Sequence, residues 1–341
     1  MRKMHLKDIA KELNVSKTAV SLVLNNKGDE NKISKETQDR IISYAKKWNY
    51  VPNQLARGLS RGKSDTIGLI IPNISDTFYA RIAGYVETKA MESGYTVVFS
   101  SSNEDPKKES ELIQAMLNRQ VDGLIISSTQ KNRDEISRLL NDGFPLVLID
   151  RHYPDLDTNY VIVDNFGGVN IATKHLLNLG RKRIGFVTIK SDLEAMKQRM
   201  RGFASALEDA GLKMEKWMVL ELDQKTVASE MRTKLAELMA KDKGVDALLF
   251  STHYLAKEGL RTLKHLKVKV PEDVAFISFS ETSDFDLVDP PITTVTQPVQ
   301  RIGELAVDVL VADMVAGDLT KTKVQRSILD TSFKVRKSCG K

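Results

Sequence analysis

At 341 residues, 41% hydrophobic and 28% charged, the chain is too long for one comfortable core and is expected to form two or three domains. A single cysteine, Cys339, excludes an intramolecular disulfide and a CxxC metal site. The formal charge of +6 is concentrated at the start: residues 1–63 carry 14 Lys or Arg against 6 Asp or Glu and the rest 37 against 39, the footprint of a small polyanion-binding unit.

The first elements are two short helical patterns broken at Asn14-Val15. Ile9, Ala10 and Leu13 lie on one helical face, and Ala19, Val20, Val23 and Leu24 on another. Ser16 stands where an N-cap is wanted. Small Ala10 and the tight connection allow a close crossing, which is what a helix-turn-helix requires when its second helix enters the DNA major groove. An ordinary helical hairpin would show the same apolar stripes. The opposite face decides between them: Lys17, Thr18, Ser21, Leu22 and Asn25 project outward, and with Ser16 most are short hydrogen-bonders suited to phosphates and base edges. A merely solvated face would more often carry Glu-Lys pairs.

The spacing predicts a third helix from Ser34 to about Trp48, with Ile41, Ile42, Tyr44 and Ala45 as its apolar positions. Asn49-Tyr50-Val51-Pro52 stops it, because a residue before proline avoids the helical region. The short basic stretch "NQLARGLSRGKSD" reads as a linker.

From Thr66 the pattern changes. Ten apolar runs, from "TIGLII" and "YTVVFS" through "VDALLFS" to "VAFISFS" and "ITTVTQ", alternate with amphipathic helical stretches. Short continuous apolar runs between helices mean parallel strands buried on both faces. Ten exceed one comfortable sheet, so two doubly wound α/β lobes are expected, with ligands bound beyond the carboxyl ends of the strands.

Catalytic chemistry finds little support. "GLSRGKS" lacks the first glycine of a phosphate-binding loop and follows no strand. The five histidines show no metal-ligand spacing, no GxSxG elbow is present, and Cys339 in a polar tail is a poor nucleophile. No enzyme activity, metal or cofactor is expected. Without a run of about eighteen apolar residues or a signal-peptide core in "MRKMHLKDIA", no membrane partner is expected and the cytoplasm is the expected location. What remains is a set of polar and aromatic residues at strand ends: "PNISDTFY", Ser127-Ser128, Asp150-Arg151, Arg199, Thr252-His253, Ser280-Glu281 and Gln297. Together they suit a small polar ligand, although each alone could be a cap or loop residue, as Asp76 could be for a helix at Thr77.

Over nearly its full length the sequence resembles the LacI/GalR family of transcriptional regulators. The stretches that carry the resemblance include "LKDIAKELNVSKTAVSLVLN", "NYVPNQLARGLSRGKSDTIGLIIPNISDTFYARI", "VPEDVAFISF" and "PPITTVTQPVQRIGELA". It implies a small all-α helix-turn-helix headpiece (residues 1–50), a hinge helix (51–63) and a periplasmic-binding-protein-like α/β core of two doubly wound parallel-sheet lobes joined by three crossovers. The N-terminal lobe would comprise 64–162 plus 293–327, the C-terminal lobe 163–292 plus 328–341. Carried over by position, Lys17, Thr18 and Leu22 would read bases and Ser16, Ser21 and Asn25 hold phosphates. Leu22 departs from the usual polar residue and would favour a thymine methyl. In the hinge, Ala56, Arg57 and Leu59 would contact DNA, Leu59 as a minor-groove wedge.

For the effector the resemblance implies Phe78 and Tyr79 as ring contacts, with Asn73, Ser128, Asp150, Arg199, Thr252, Ser280 and Gln297 as polar ones. Two departures bear on its class. Thr252-His253 replaces the common Asn-Asp pair, and Ser280 replaces a common Asp that grips sugar hydroxyls. Either Glu281 supplies that carboxylate or the ligand is not a simple sugar. The implied partners are double-stranded operator DNA, a small polar effector such as a sugar, and a second copy of the chain in a homodimer. Repression is the favoured sense and activation the alternative. A solute-binding protein without DNA function and an α/β enzyme are the rivals from other classes.

Overall fold

Three helices wrap a small apolar cluster at the start of the chain. In the computed structural model, which describes residues 4–50, 62–240, 244–316 and 323–340, α1 (Leu6–Glu12), α2 (Lys17–Leu24) and α3 (Lys35–Lys47) bury Ile9, Ala10, Val20, Val23, Ile41 and Ala45 together. Their starts are set by local chemistry. Ser16 Oγ accepts from Ala19 N at 3.0 Å, and Ser34 Oγ from Thr37 N at 3.3 Å. Between α1 and α2, Asn14 takes φ +52°, a left-handed conformation that asparagine tolerates better than most residues. Ser16→Ala leaves an amide of α2 without its cap and is expected to cost about 1 kcal/mol locally, read as a roughly fivefold loss of hydrogen-exchange protection in α2.

This headpiece lies within the unit Met1–Ser64, and Asp65–Lys341 forms the second unit. All ten apolar runs of the second unit are strands: β1 (Thr66–Ile71), β2 (Thr96–Ser101), β3 (Gly123–Ile126), β4 (Leu146–Ile149), β5 (Asn159–Val163), β6 (Ile184–Ile189), β7 (Val219–Leu222), β8 (Ala247–Phe250), β9 (Ala275–Phe279) and β10 (Thr293–Thr296). Two more close the sheets, β11 (Arg326–Leu329) and β12 (Ser332–Lys334). The first sheet runs β11-β5-β4-β3-β1-β2 and the second β12-β10-β9-β8-β6-β7. Every pairing is parallel except β10 with β12. Central strands are buried on both faces, as continuous apolar runs demand. Edge strand β2 is only half-buried, contrary to the reading of "YTVVFS" as a doubly covered strand.

The helices that cover the sheets are α4 (Thr77–Glu92), α5 (Pro106–Asn118), α6 (Arg133–Asn141), α7 (Asn165–Asn178), α8 (Glu194–Asp209), α9 (Val227–Ala240), α10 (His253–Leu266) and α11 (Val299–Ala316). The chain passes between the lobes after β5, after β10 and after β11. The second of these passages corrects a boundary. Strand β10 pairs with β9, so residues 293–296 belong to the C-terminal lobe and the return begins at Gln297 rather than at 293. Likewise β11 pairs with β5 as far as Leu329, two residues beyond the expected 327.

Helices α7 and α8 cross with almost no room between them. A Cβ at Gly202 would lie 2.3 Å from the carbonyl oxygen of Phe166 and 3.3 Å from the amide nitrogen of Asn170. The close approach is made with backbone, and Asn170 Nδ2 donates to the Gly202 carbonyl at 3.3 Å. The crossing fixes α8, which carries Arg199. Cys339, expected in a polar tail, is instead fully buried, 3.3 Å from His175 Nε2, because the tail folds back along the second sheet.

Candidate functional site

On the headpiece, burying Val20 and Val23 turns the opposite side of α2 outward. Ser16, Lys17 and Thr18 are exposed, and Ser21, Leu22 and Asn25 are half-exposed. Asn25 folds back on its own helix, donating through Nδ2 to the Ser21 carbonyl at 2.7 Å. Ala56, Arg57 and Leu59 of the hinge lie outside the described residues.

In the second unit a cavity of about 420 Å³ opens between the two lobes, at the carboxyl ends of their strands. The first lobe contributes Asn73, Asp76, Phe78, Tyr79, Glu104 and Asp150, among others. Asp76 is the N-cap of α4, accepting from Phe78 N at 2.8 Å, so the bland reading of this residue holds. It has a second role, since its Oδ1 also lies 3.4 Å from His253 Nε2 on the opposite wall. Burial alone would raise the Asp76 carboxyl, but the His253 ring and the helix amides outweigh it and hold it below the usual range.

Asp150 follows β4 in a left-handed conformation (φ +62°), which aims its carboxylate along the cleft. It accepts from the Tyr79 hydroxyl at 2.7 Å. Burial pushes that phenol well above its ordinary range, so Tyr79 stays a neutral donor. Arg151, also buried, grips Glu104 with two hydrogen bonds of 2.8 and 2.6 Å, and its Nε stands 3.6 Å from Asp150. Burial would lower its basicity, but the surrounding acidic groups raise it beyond the ordinary value.

The second lobe contributes the N-terminal turns of α8 and α10 and the end of β9. Thr252 caps α10, and His253 and Tyr254 follow it into the cleft. Ser280 follows β9 with φ +74°, the counterpart of Asp150 in the other sheet. Arg199 is 4% exposed. Its Nε donates to Asn165 Oδ1 at 2.8 Å and Nη1 to the Ser251 carbonyl at 2.6 Å, while the guanidinium lies 3.8 Å from the centre of the Phe279 ring. Burial lowers its pKa to about 10, with Asp150 across the cleft opposing part of the shift. Two polar groups are left over. Gln297 Oε1 is buried without a hydrogen bond, and the buried Tyr254 hydroxyl has none of good geometry. Buried polar groups left unmatched in a cavity are the contacts that a bound molecule would complete.

Eight of the nine expected effector residues line this cavity. Ser128 does not: its hydroxyl sits behind the wall, bonded to Glu109 Oε1 and the Tyr153 hydroxyl, each at 2.9 Å. Glu281 is not a cleft carboxylate either. It points to the C-terminal segment, paired with Arg336 and with Lys334 Nζ at 3.4 Å, and these cations outweigh burial to hold its pKa down. Glu104, Gln224, and Leu193, Ala195 and Met196 around the start of α8, are not singled out by the sequence. They lie in loops and helix starts, where no periodicity marks them. Among the described residues no cluster of three or more His, Cys, Asp or Glu could hold a metal ion, and no helix is long and apolar enough to cross a membrane.

Comparison with known proteins agrees with both units. The profile of bacterial regulatory proteins of the lacI family matches residues 5–53, and that of the periplasmic binding protein-like domain matches 173–339. The transcriptional regulator DegA of Bacillus subtilis is 30% identical over 87% of this chain and 87% of its own. The regulator of the NTD biosynthesis operon, NtdR, from the same organism, is 32% identical over 88% and 89%. Among solved structures, the complex of the transcriptional regulator CelR with cellobiose superimposes with a TM-score of 0.72 at 26% identity, covering 98% of this chain and 99% of the other. The lac repressor dimer bound to operator and an anti-inducer shares the fold at a TM-score of 0.86, 21% identity and 99% coverage of both chains. With a helix-turn-helix headpiece, a two-lobed periplasmic-binding-like core and relatives of this identity over most of their length, the chain belongs to the lacI family of bacterial transcriptional regulators.

Proposed function

We propose that the protein is a transcriptional repressor that binds a pseudo-palindromic operator as a homodimer, under the control of a small polar effector held between the core lobes. The observation that carries this reading is the joint presence of an outward polar face on a basic headpiece and a buried cavity with unmatched polar groups. CelR, seen with cellobiose, supports a hydroxylated effector. Lys17, Thr18 and Leu22 read bases, Ser16, Ser21 and Asn25 hold phosphates, and Ala56, Arg57 and Leu59 engage DNA from the hinge. Asn73, Phe78, Tyr79, Asp150, Arg199, Thr252, Ser280 and Gln297 form the effector site. Effector binding changes the angle between the lobes and thereby operator affinity, and DNA must alter effector affinity by the same factor.

The test is affinity selection on fragmented genomic DNA, followed by binding to recovered sites at several salt concentrations. A shared palindrome whose affinity falls steeply with salt is the expected result. Retention of DNA without any common sequence, with or without candidate effectors, would overturn the operator reading. Arg199→Ala is expected to weaken the effector response roughly tenfold or more, the scale of a lost charge-assisted hydrogen bond, while operator affinity stays nearly unchanged. Titration of operator binding with effector, mutant against wild type, measures both.

A further inference from the structure

The two walls of the cleft differ in charge. Among the described residues, all three carboxylates that line it, Asp76, Glu104 and Asp150, stand on the first lobe, with Arg151 as the one cation beside them. Among the described lining residues of the second lobe there is no acid, only Arg199, His253 and uncharged side chains. Of the carboxylates next to this wall in sequence, Glu281 is drawn away by Arg336 and Lys334, and Asp192, Glu194 and Asp223 are not among the lining residues.

Arg199 is the unusual member. A buried cation ordinarily has a carboxylate in contact, because desolvation is costly without one. Arg199 has an amide oxygen, a backbone carbonyl and a ring face instead. Two of its five N–H groups are accounted for by these bonds, and Nη2 makes none among the described residues. Its depressed pKa comes from burial, which Asp150 across the cleft offsets only in part. The 14-residue helix α10 starts on this wall, and a helix N-terminus adds a field that favours anions.

Resting on the reading of the cleft as the effector site, we propose that the effector is a hydroxylated anion whose carboxylate or phosphate docks on the second-lobe wall against Arg199, beside His253 and the start of α10. Its hydroxyls face the first lobe, where Asp150 accepts and Asn73 can do either. Gln297 Oε1 takes a donor from the same molecule. An uncharged Ser280 on this wall suits such a ligand, since a carboxylate there would repel it.

The full chain is titrated with potassium gluconate, potassium phosphate and glucose 6-phosphate against potassium chloride at matched ionic strength, with glucose and cellobiose as neutral probes, and thermal unfolding is followed. A saturable rise in Tm with at least one of the oxyanions and none with chloride is expected; which anion responds separates carboxylate from phosphate. Arg199→Gln should weaken that response at least tenfold. Because removing this side chain also loosens Asn165 and Ser251, Ser280→Asp is the second variant: it leaves the Arg199 bonds in place and should weaken anion binding by a similar factor. The absence of any saturable oxyanion response, or an undiminished one in both variants, overturns the proposal. Stabilisation by the neutral probes alone overturns it while leaving the cleft as effector site. The cleft reading fails separately, if a ligand that alters operator binding does so equally in wild type and in both variants.

Discussion

Arg151→Ala is expected to destabilise the core by about 3 kcal/mol, because removing one partner of a buried ion pair strands the other. Its guanidinium is the direct counter-ion of Glu104, lies 3.6 Å from Asp150 and donates to the Ser128 carbonyl at 3.2 Å. Without it, two carboxylates would share one wall of a partly desolvated cleft. The figure is the low end of the range for buried pairs, since the Glu104 side chain is 31% exposed and water would screen part of the repulsion. Denaturant unfolding of Arg151→Ala, Glu104→Gln and the double mutant measures the coupling. The double mutant should recover part of the loss, and strictly additive losses would mean that the two side chains do not support each other.

Gly202→Ala is expected to cost about 3 kcal/mol, near the top of the usual range for overpacking. The obstacle is the Phe166 carbonyl, which cannot rotate away as a side chain could, so α7 and α8 must separate along the crossing. Gly259, by contrast, faces a side chain, the ring of Phe250, rather than backbone. In thermal unfolding the change at Gly202 corresponds to a fall in Tm of roughly 6–12 °C for a unit of this size. Since α8 carries Arg199, the same variant should also blunt the effector response. A Tm within a degree of wild type would show that the helices part without cost.

The sheets were legible because their central strands are covered on both faces, which forces runs such as "TIGLII" and "ALLF" to be apolar throughout. The edges were not. In β11 and β12 exposed and half-buried residues alternate over four and three positions, too short and too polar to announce a strand. This is also why the passages between lobes were misplaced at 293 and 327: the pairing of β10 and β11 depends on partners far away in the chain. In the cleft, residues at the ends of apolar runs were found because the end of a buried parallel strand is where a cavity forms. The same rule failed at Ser128, whose neighbour Ser127 faces Tyr79 while Ser128 turns to the buried Glu109. Loop residues such as Glu104 and Gln224 carry no pattern at all. Their place follows from tertiary structure alone.

The two sheets share one winding order, and Asp150 and Ser280 occupy matching seats in it, each left-handed and each at the end of the fourth strand of its lobe. The protein thus presents its guest with the same scaffold twice, written with an acid on one side and a hydroxyl on the other. The two seats differ in side chain while the backbone beneath them is the same. Aspartate and asparagine accept this conformation more readily than serine does, so the seat at Ser280 can change its side chain without adding backbone strain to the fold.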